Sequence, residues 1–380
     1  MSSDYAIACY YFPGYHADPR NDARHGPGWT EWDLLRHARP RFDHHAQPKV
    51  PLWGCQDESD PAVMARSIDA AADSGIDAFL FDWYWYDGPF LNGALDRGFL
   101  HAANNGRIKF ALMWANHDWM DIHPAKLHSP APLVFPGKVT PETFDRVTDH
   151  IIQNYFSHPA YWRIDGKPYF SIYEMYKLIE SLGGLRATRE ALDRFRQKAV
   201  AAGLPGLHLN GVVWGIHILP GEKAAANPSE MVSMLALDSV TSYAWVHHVA
   251  LETFPAADYR RVLAKAVENW RSLEGQFPVP YHPNVTMGWD ASPRTVQTDR
   301  YVNAGYPFMA TMSGNTPEAF GEALAQAKAF LAPRPSGQRI LTINAWNEWA
   351  EGSYLEPDTV HGMGYLDAIG QTFGHPGKQV

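Results

Sequence analysis

The sequence predicts a single (β/α)8 barrel, formed by residues 1–380 as one domain, with long loops at the carboxyl ends of the strands. Eight short apolar runs alternate with stretches in which apolar residues recur at helical spacing. No repeat, low-complexity tract or Ser/Gly-rich linker divides the chain. A doubly wound open sheet is the main alternative. That fold usually has a glycine-rich phosphate turn after its first strand, and no such turn follows residues 6–11 here.

The predicted elements follow one another in a regular order. We expect strands at 6–11, 78–83, 109–114, 168–173, 207–213, 239–243, 284–288 and 340–344. Helices are predicted between them at 60–75, 92–105, 140–155, 190–202, 231–236, 259–273 and 317–331. Two of these helices begin with an N-cap residue followed by proline, at Asp60–Pro61 and Thr140–Pro141.

Composition excludes several classes of protein. The net charge is −9 and no Lys/Arg run occurs, which argues against a nucleic-acid or anionic-membrane partner. The two cysteines can form neither a disulfide framework nor a thiolate metal site. Residues 1–15 lack the pattern of a signal peptide, and no run of about 18 apolar residues is present. We therefore expect a cytoplasmic protein without a membrane span.

Aromatic, acidic and amide side chains collect where the predicted strands end. The chain has 14 Trp, and flat amphipathic rings suit a partner such as a sugar. In a barrel these strand ends share one face, so a carbohydrate cleft is expected there. The candidate binding residues are Tyr11, His16, Asp82, Trp83, Trp85, Trp114, Asn116, His117, Tyr173, Tyr243, Trp289, Asp290, Trp346 and Asn347. Glu31, in the long first loop, either lines the cleft or caps a short helix at 32–37.

Two glutamates after the last predicted strand are the candidate catalytic residues. Glu348 and Glu351 lie three residues apart, so a helical turn would place both on one face. Glycoside hydrolysis requires two carboxyl groups facing one bond. Acidic pairs at this spacing also occur on ordinary surface helices, and the surrounding aromatic and amide residues favour a site over that alternative.

A metal site was also considered. His117, Asp118, Asp121 and His123 are ligand types within seven positions, but a mononuclear site needs them to converge on one point. A loop rich in Trp and Pro can hold such residues in solvent, so we expect neither a metal nor another cofactor. Glu356, before a proline, is expected to be structural.

Several segments together resemble the WbsX-like proteins, which are related to the endo-α-mannosidases of glycoside hydrolase family 99. The first are Tyr11–His16 (YFPGYH), Gly28–Trp32 (GWTEW) and Gln47–Pro51 (QPKVP). Similar blocks follow at 81–88, 114–116, 165–168, 289–290 with Arg294, and 346–357. The chain departs from the group at His117, where a glutamate commonly follows Trp-Ala-Asn.

The resemblance implies a metal-independent barrel that cleaves α-mannoside-like linkages within an oligosaccharide or polysaccharide, with retention of configuration. It assigns Glu348 to deprotonating the 2-hydroxyl of the sugar, which then forms a 1,2-anhydro intermediate. It assigns Glu351 as general acid and then base. A glycosyltransferase or transglycosylase of bacterial surface-polysaccharide assembly is the alternative, and a non-catalytic carbohydrate-binding barrel is a third possibility.

Overall fold

A computed structural model describes residues 4–223 and 227–374, so residues 1–3, 224–226 and 375–380 of the predicted domain lie outside it. Its central sheet contains nine short parallel strands. They are β1 (Ala6–Tyr11), β2 (Ala78–Trp85), β3 (Lys109–Trp114), β4 (Lys167–Ile172), β5 (His208–Val212), β6 (Ser239–Thr241), β7 (Tyr281–His282), β8 (Asn284–Thr286) and β9 (Ile340–Asn344).

Pro283 divides the seventh strand of the barrel into β7 and β8, and the pairing of these two pieces with their neighbours closes the barrel. β7 pairs with β6, β8 pairs with β9, and β9 pairs with β1, where Ala6 lies opposite Ile340. Proline has no N–H to donate. Its carbonyl oxygen still accepts a hydrogen bond from the Thr342 N–H at 3.0 Å. Eight strand positions thus form a complete ring, and the prediction of a (β/α)8 barrel is confirmed.

Helices surround this ring of strands. In the described part of the chain they are α1 (Pro19–His25), α2 (Trp32–His37), α3 (Pro61–Asp73), α4 (Pro141–Ile151), α5 (Met175–Leu182), α6 (Leu185–Ala201), α7 (Pro228–Leu235), α8 (Tyr259–Gln276), α9 (Pro317–Leu331) and α10 (Gly364–Phe373). The predicted caps are present, since the Asp60 side chain accepts from Ala62 N–H and Thr140 from Thr143 N–H. The sequence analysis did not predict α1, α5 or α10.

The loops carry shorter elements. Two-residue strands at Pro89–Phe90 and Arg163–Ile164 extend β2 and β4 as antiparallel partners. Small separate ribbons pair Trp119–Met120 with Leu133–Phe135, Ala256–Asp258 with Thr311–Ser313, and Asn347–Glu348 with Ser353–Tyr354. Single 3₁₀ turns occur at Trp245–His247, Ser292–Arg294, Ser336–Gln338 and Trp349–Glu351.

The helix predicted at 92–105 is shorter than expected and is not an α-helix. The segment instead forms a π-helical turn at Ala94–Gly98 and a 3₁₀ turn at Phe99–His101. A β-carbon at Gly98 would lie 2.4 Å from the Glu58 carbonyl oxygen, and the Gly93 N–H donates to His16 Nε2 at 3.1 Å. These close contacts with the first loop determine the backbone path and override the helical spacing of the apolar residues.

A tight turn after β9 carries the two candidate catalytic glutamates. The ribbon of Asn347–Glu348 with Ser353–Tyr354 encloses the 3₁₀ turn Trp349–Glu351, which ends at Gly352 with φ of 65°. The Glu351 carbonyl accepts from the Asp290 N–H at 2.5 Å. A β-carbon at Gly352 would lie 2.7 Å from the Asp290 β-carbon. Only glycine satisfies both the positive φ and this close approach.

We predict opposite effects for two glycine-to-alanine substitutions. Gly352→Ala should destabilise the protein by about 1–3 kcal/mol, since alanine strains the left-handed conformation and collides with Asp290. Gly321→Ala is the matched control, because it lies within α9 and its new β-carbon would meet Ala368 at an ordinary 3.8 Å. That control should stabilise by roughly 0.5–1 kcal/mol. Thermal unfolding measures both, and an unchanged or higher midpoint for Gly352→Ala would contradict this account of the turn.

Candidate active site

A pocket opens at the carboxyl ends of the barrel strands. Its lining combines aromatic rings with four carboxylic side chains and one arginine. The carboxylic residues are Asp82, Asp118, Glu348 and Glu351, the arginine is Arg294, and the rings include Phe12, Tyr84, Trp119, Tyr173, Tyr243 and Trp289. An aromatic wall with a few convergent polar groups is typical of a small-molecule or sugar site.

Arg294 lies at the centre of the polar groups. Its Nη1 is 2.5 Å from Glu351 Oε1, and its Nη2 is 3.4 Å from Glu348 Oε2. The same Nη2 donates to Glu31, at 3.0 Å from Oε2. Arg294 is only 5% exposed and each of these glutamates is at most 4% exposed. One buried cation therefore faces three buried carboxylic groups.

The three glutamates differ in their affinity for protons. Burial raises the pKa of Glu348 well above its usual value, and the charge of Glu351 raises it further, although Arg294 opposes both effects. Burial likewise raises the pKa of Glu351, against the opposing charge of Arg294 and a hydrogen bond from Tyr306. Burial also acts on Glu31, but Arg294 and His123 outweigh it and lower its pKa. Arg294 and His123 thus favour the ionised form of Glu31, whereas burial favours the protonated forms of Glu348 and Glu351.

Two tyrosines orient the catalytic candidates. Tyr306 Oη donates to Glu351 Oε1 at 2.6 Å. Tyr243 Oη lies 3.1 Å from Glu348 Oε1 and also 2.8 Å from Asp82 Oδ2. Each glutamate therefore has one tyrosine and Arg294 as neighbours, which restricts both carboxyl groups to defined orientations.

Two predicted site residues support the site without entering the pocket. The Asn347 side chain bonds the backbone of Phe12 in both directions, accepting from its N–H at 2.8 Å and donating to its carbonyl at 2.7 Å. Asp290 is held by His45 at 2.8 Å and by Gln47 at 2.6 Å. These bonds connect the long first loop to the loops that follow β8 and β9. They fix the positions of the candidate catalytic residues.

Seven of the predicted site residues line the pocket. They are the two glutamates together with Asp82, His117, Tyr173, Tyr243 and Trp289. Glu31 lies directly behind Arg294, and its side chain makes no capping bond to α2, although that helix begins at the next residue. That these residues bind a substrate stays a prediction.

Four tryptophans that were predicted to line the cleft lie outside it. Strand side chains alternate between two faces, and Asp82 and Tyr84 take the inner face of β2. Trp83 and Trp85 consequently pack on the outer face against His150 of α4. Trp114 packs on Phe144 of α4, and Trp346 packs on Phe79 at 5.0 Å. These four predictions are wrong. For Trp83, Trp85 and Trp114, residue type was weighed without strand register, and Trp346 lies beyond the end of β9, where its ring packs into the core.

Three further predicted binding residues also face away from the pocket. Tyr11 packs between Phe79 and Phe81 in the core. The His16 ring lies between Glu58, at 2.9 Å from Nδ1, and the Gly93 N–H. The Asn116 side chain bonds both backbone groups of Glu174. His16 and Asn116 satisfy buried backbone or side-chain polar groups, a role that residue type alone does not distinguish from ligand binding.

Several pocket residues were absent from the predicted set. Arg294 is the most important, and its only signal was its place in a block that resembles the WbsX-like proteins. Phe12 and Tyr84 alternate with predicted neighbours on β1 and β2, so strand register would have identified them. Most of the remainder come from loops without periodicity, and they include Trp119, His123 and His247. Tyr306, which orients Glu351, was also missed.

The four metal-ligand types between 117 and 123 have separate partners. His117 Nδ1 lies 2.8 Å from the Asp118 carbonyl oxygen, while Asp118 pairs with Lys177 at 2.8 Å. Asp121 pairs with Arg24 at 2.5 Å, and His123 with Glu31 at 3.2 Å. Over residues 4–223 and 227–374, no group of three or more His, Cys, Asp or Glu is placed to hold a metal ion.

Among the helices in residues 4–223 and 227–374, none is both long and apolar enough to cross a membrane.

Solved structures with the same fold include sugar-processing enzymes. The GH99 endo-α-mannosidase from Bacteroides thetaiotaomicron has a TM-score of 0.53 at 15% identity, over 98% of this chain and 97% of that one. A glycoside hydrolase-like protein has a TM-score of 0.62 at 16% identity, over 98% and 94%. A β-glucosidase from Thermotoga maritima has a TM-score of 0.50 at 11% identity, over 100% of both chains. At these identities the likeness establishes the fold.

Sequence comparison establishes the family. The chain is 28% identical to the uncharacterized protein WxcX of Xanthomonas campestris pv. campestris strain B100, over 96% of this chain and 49% of WxcX. The protein of the same name from strain ATCC 33913 matches equally. The chain thus spans about half the length of these curated relatives. The family model described as glycosyltransferase WbsX matches residues 7–369. The chain therefore belongs to the WbsX family.

Proposed function

We propose that the chain is a retaining glycoside hydrolase that cleaves α-mannoside-like linkages within a glycan, with Glu348 and Glu351 as its catalytic residues. The observation that carries this proposal is the pair itself. Two buried glutamates on one turn face one aromatic pocket, and each is oriented by a tyrosine and by Arg294. The fold shared with a GH99 endo-α-mannosidase supports the same assignment.

The chemistry follows from the geometry of the sugar. In an α-mannoside the 2-hydroxyl is axial and trans to the leaving group, so it can attack the anomeric carbon in line. Glu348 removes the 2-hydroxyl proton as the C1–O bond to the leaving group breaks, and a 1,2-anhydro sugar forms. Glu351 gives its proton to the departing oxygen. Water then opens the anhydro ring, with Glu351 as base and Glu348 returning the proton to the 2-oxygen.

The hydrogen bonds suit these two roles. Both Tyr306 and Arg294 bind Oε1 of Glu351, which leaves Oε2 as the oxygen that can carry the acidic proton. Raised by burial, the pKa of this carboxyl favours the protonated form that a general acid needs. Glu348 has Arg294 at one oxygen and Tyr243 at the other. These donors favour the ionised form that a base needs, and they oppose the burial and the charge of Glu351 that raise the pKa of Glu348.

The pocket favours a neutral sugar over an anionic one. Arg294 is the one arginine or lysine among its described lining residues, and three carboxylic groups already surround it. A phosphate or carboxylate on the ligand would find this one cation already paired with Glu31, Glu348 and Glu351, so little attraction would offset the cost of burying the anion. The rings of Tyr84, Trp119 and Trp289 provide surfaces on which pyranose faces can stack.

Substituting either glutamate should remove most of the activity. Glu348→Gln and Glu351→Gln should each lower kcat by about 10²–10⁴-fold on α-mannans, because each loses one proton-transfer step. Glu356→Gln is the matched control, since Glu356 is a half-buried glutamate beside the same turn. It accepts a hydrogen bond from Trp349 Nε1 at 2.6 Å and lies outside the pocket. Reducing-end release by purified, folded variants measures the effect.

The leaving group separates the two roles. A substrate whose leaving group departs without protonation, such as a dinitrophenyl α-mannobioside, should restore bond cleavage in Glu351→Gln but not in Glu348→Gln. Equal activity of wild type and both variants on every substrate would overturn the assignment. A loss of activity in Glu356→Gln as large as theirs would mean that the effect comes from disturbing the turn.

The second candidate function is a glycosyltransferase of surface-polysaccharide assembly, which the description of the family model favours. A sugar-nucleotide donor requires recognition of its diphosphate, by a metal ion or by a cradle of cations and backbone N–H groups. The acidic residues around Arg294 oppose such binding.

We therefore predict no heat of binding when GDP or UDP is titrated into the protein by calorimetry, with or without Mn²⁺. A neutral manno-oligosaccharide titrated into Glu348→Gln should bind. Micromolar binding of either nucleotide, with no hydrolysis of any glycan, would favour the transferase.

A further inference from the structure

The hydroxyl of Tyr243 lies between two buried carboxylic side chains. Its oxygen is 2.8 Å from Asp82 Oδ2 and 3.1 Å from Glu348 Oε1. A phenol has one proton to donate, whereas an ionised carboxylate can only accept. Both contacts are hydrogen bonds only if one of the two carboxylic groups itself donates. One of Asp82 and Glu348 therefore carries a proton.

The remaining contacts indicate that the proton is on Asp82. In the described structure, Tyr243 is the only hydrogen-bond partner of the Asp82 carboxyl group, and Asp82 Oδ1 is buried without a partner. The residue is 4% exposed. Glu348 has Arg294 at 3.4 Å from its second oxygen. An ionised carboxylate with one donor and no contacting cation is far costlier to bury than the neutral acid.

The charged and titratable groups around Asp82 agree with this placement. Those that face it are Tyr10, Tyr84, Tyr243, Arg294, Glu348 and Glu351. Burial raises the pKa of Asp82 well above its usual range, the charge of Glu351 adds to this effect, and the hydrogen bond with Tyr243 and the more distant Arg294 oppose it. Burial raises the pKa of Glu348 as well, so the contacts of the two side chains, and not these shifts, place the proton on Asp82.

We propose that Asp82 is protonated in the resting protein and donates from Oδ2 to Tyr243, whose own proton is donated to Glu348. The three side chains then form a hydrogen-bond chain with one direction, which keeps Glu348 ionised and oriented as the base. Asp82 is a positioning residue that acts through Tyr243. This role rests on the proposed function of Glu348, whereas the protonation of Asp82 does not.

Difference infrared spectroscopy at near-neutral pH tests the protonation without a substrate. The wild-type protein should show a C=O stretch of a buried carboxylic acid that Asp82→Asn removes and that Glu348→Gln retains. Asp358→Asn is the matched control, because Asp358 also accepts from a tyrosine, at 2.8 Å from Tyr354 Oη, and additionally from the Val360 and His361 N–H groups. That control should leave the band unchanged. A band lost in Glu348→Gln but kept in Asp82→Asn would overturn the proposal.

Activity against pH tests the positioning role. Because Asn can donate to Tyr243 and is neutral like the protonated acid, Asp82→Asn should leave the acid limb of kcat/KM in place. If Asp82 were ionised in the wild-type protein, removing its charge would instead shift the acid limb to lower pH by about 1 unit or more. Asp82→Ala should have a kcat roughly tenfold below that of Asp82→Asn, since it lacks the donor. Such a downward shift, or equal activity of the two variants, would refute the positioning role. Should no glycan be cleaved, the proposed function fails and the infrared result still decides the protonation.

Discussion

The site is organised by one buried cation, Arg294, which three glutamates share. Glu31 comes from the first loop, Arg294 from the turn after β8, and Glu348 with Glu351 from the turn after β9. These segments belong to different loops and turns and are not joined by a shared helix or sheet. Their relative positions therefore depend on the ion pairs with Arg294 and on the buried hydrogen bonds of Asn347 and Asp290. A buried ion pair contributes little net stability, because desolvation opposes the attraction. Its value here is geometric, since it fixes two carboxyl groups in one pocket.

The shared cation also limits how many of the acidic groups can be ionised. Glu31 has a lowered pKa, and its ionised form balances much of the positive charge of Arg294. Less electrostatic stabilisation is then left for the ionised forms of Asp82, Glu348 and Glu351 in a site of low dielectric constant. This shortage of positive charge favours protonation of some of them, and their hydrogen bonds differ. In the proposed function, a general acid and a base of the same residue type occur on one turn because their neighbours differ, which is the pattern expected where two carboxyls perform opposite proton transfers.

The fold was predictable because strands buried on both faces appear as apolar runs. Their ends also identified Glu348, Glu351 and Tyr243 as neighbours, because all strands of a barrel point the same way. The wrong predictions at Trp83 and Trp114 have one cause, since composition does not state which face of a strand a side chain takes. Asp82 and Tyr84 alternate with Trp83, and register alone separates them. Arg294 and Glu31 are 263 residues apart, so their contact depends on loop paths that no local pattern encodes.

The central claim is that the carboxyl pair cleaves a glycosidic bond with retention of configuration. Proton NMR of the anomeric region, recorded during the first minutes of cleavage of an α-mannan or manno-oligosaccharide, tests it most directly. The account predicts that the α-anomer of the new reducing end appears first and that the β-anomer grows only through mutarotation. Initial appearance of the β-anomer would contradict it, because inversion requires a water molecule activated by one carboxylate and excludes the two-step route through the 2-hydroxyl.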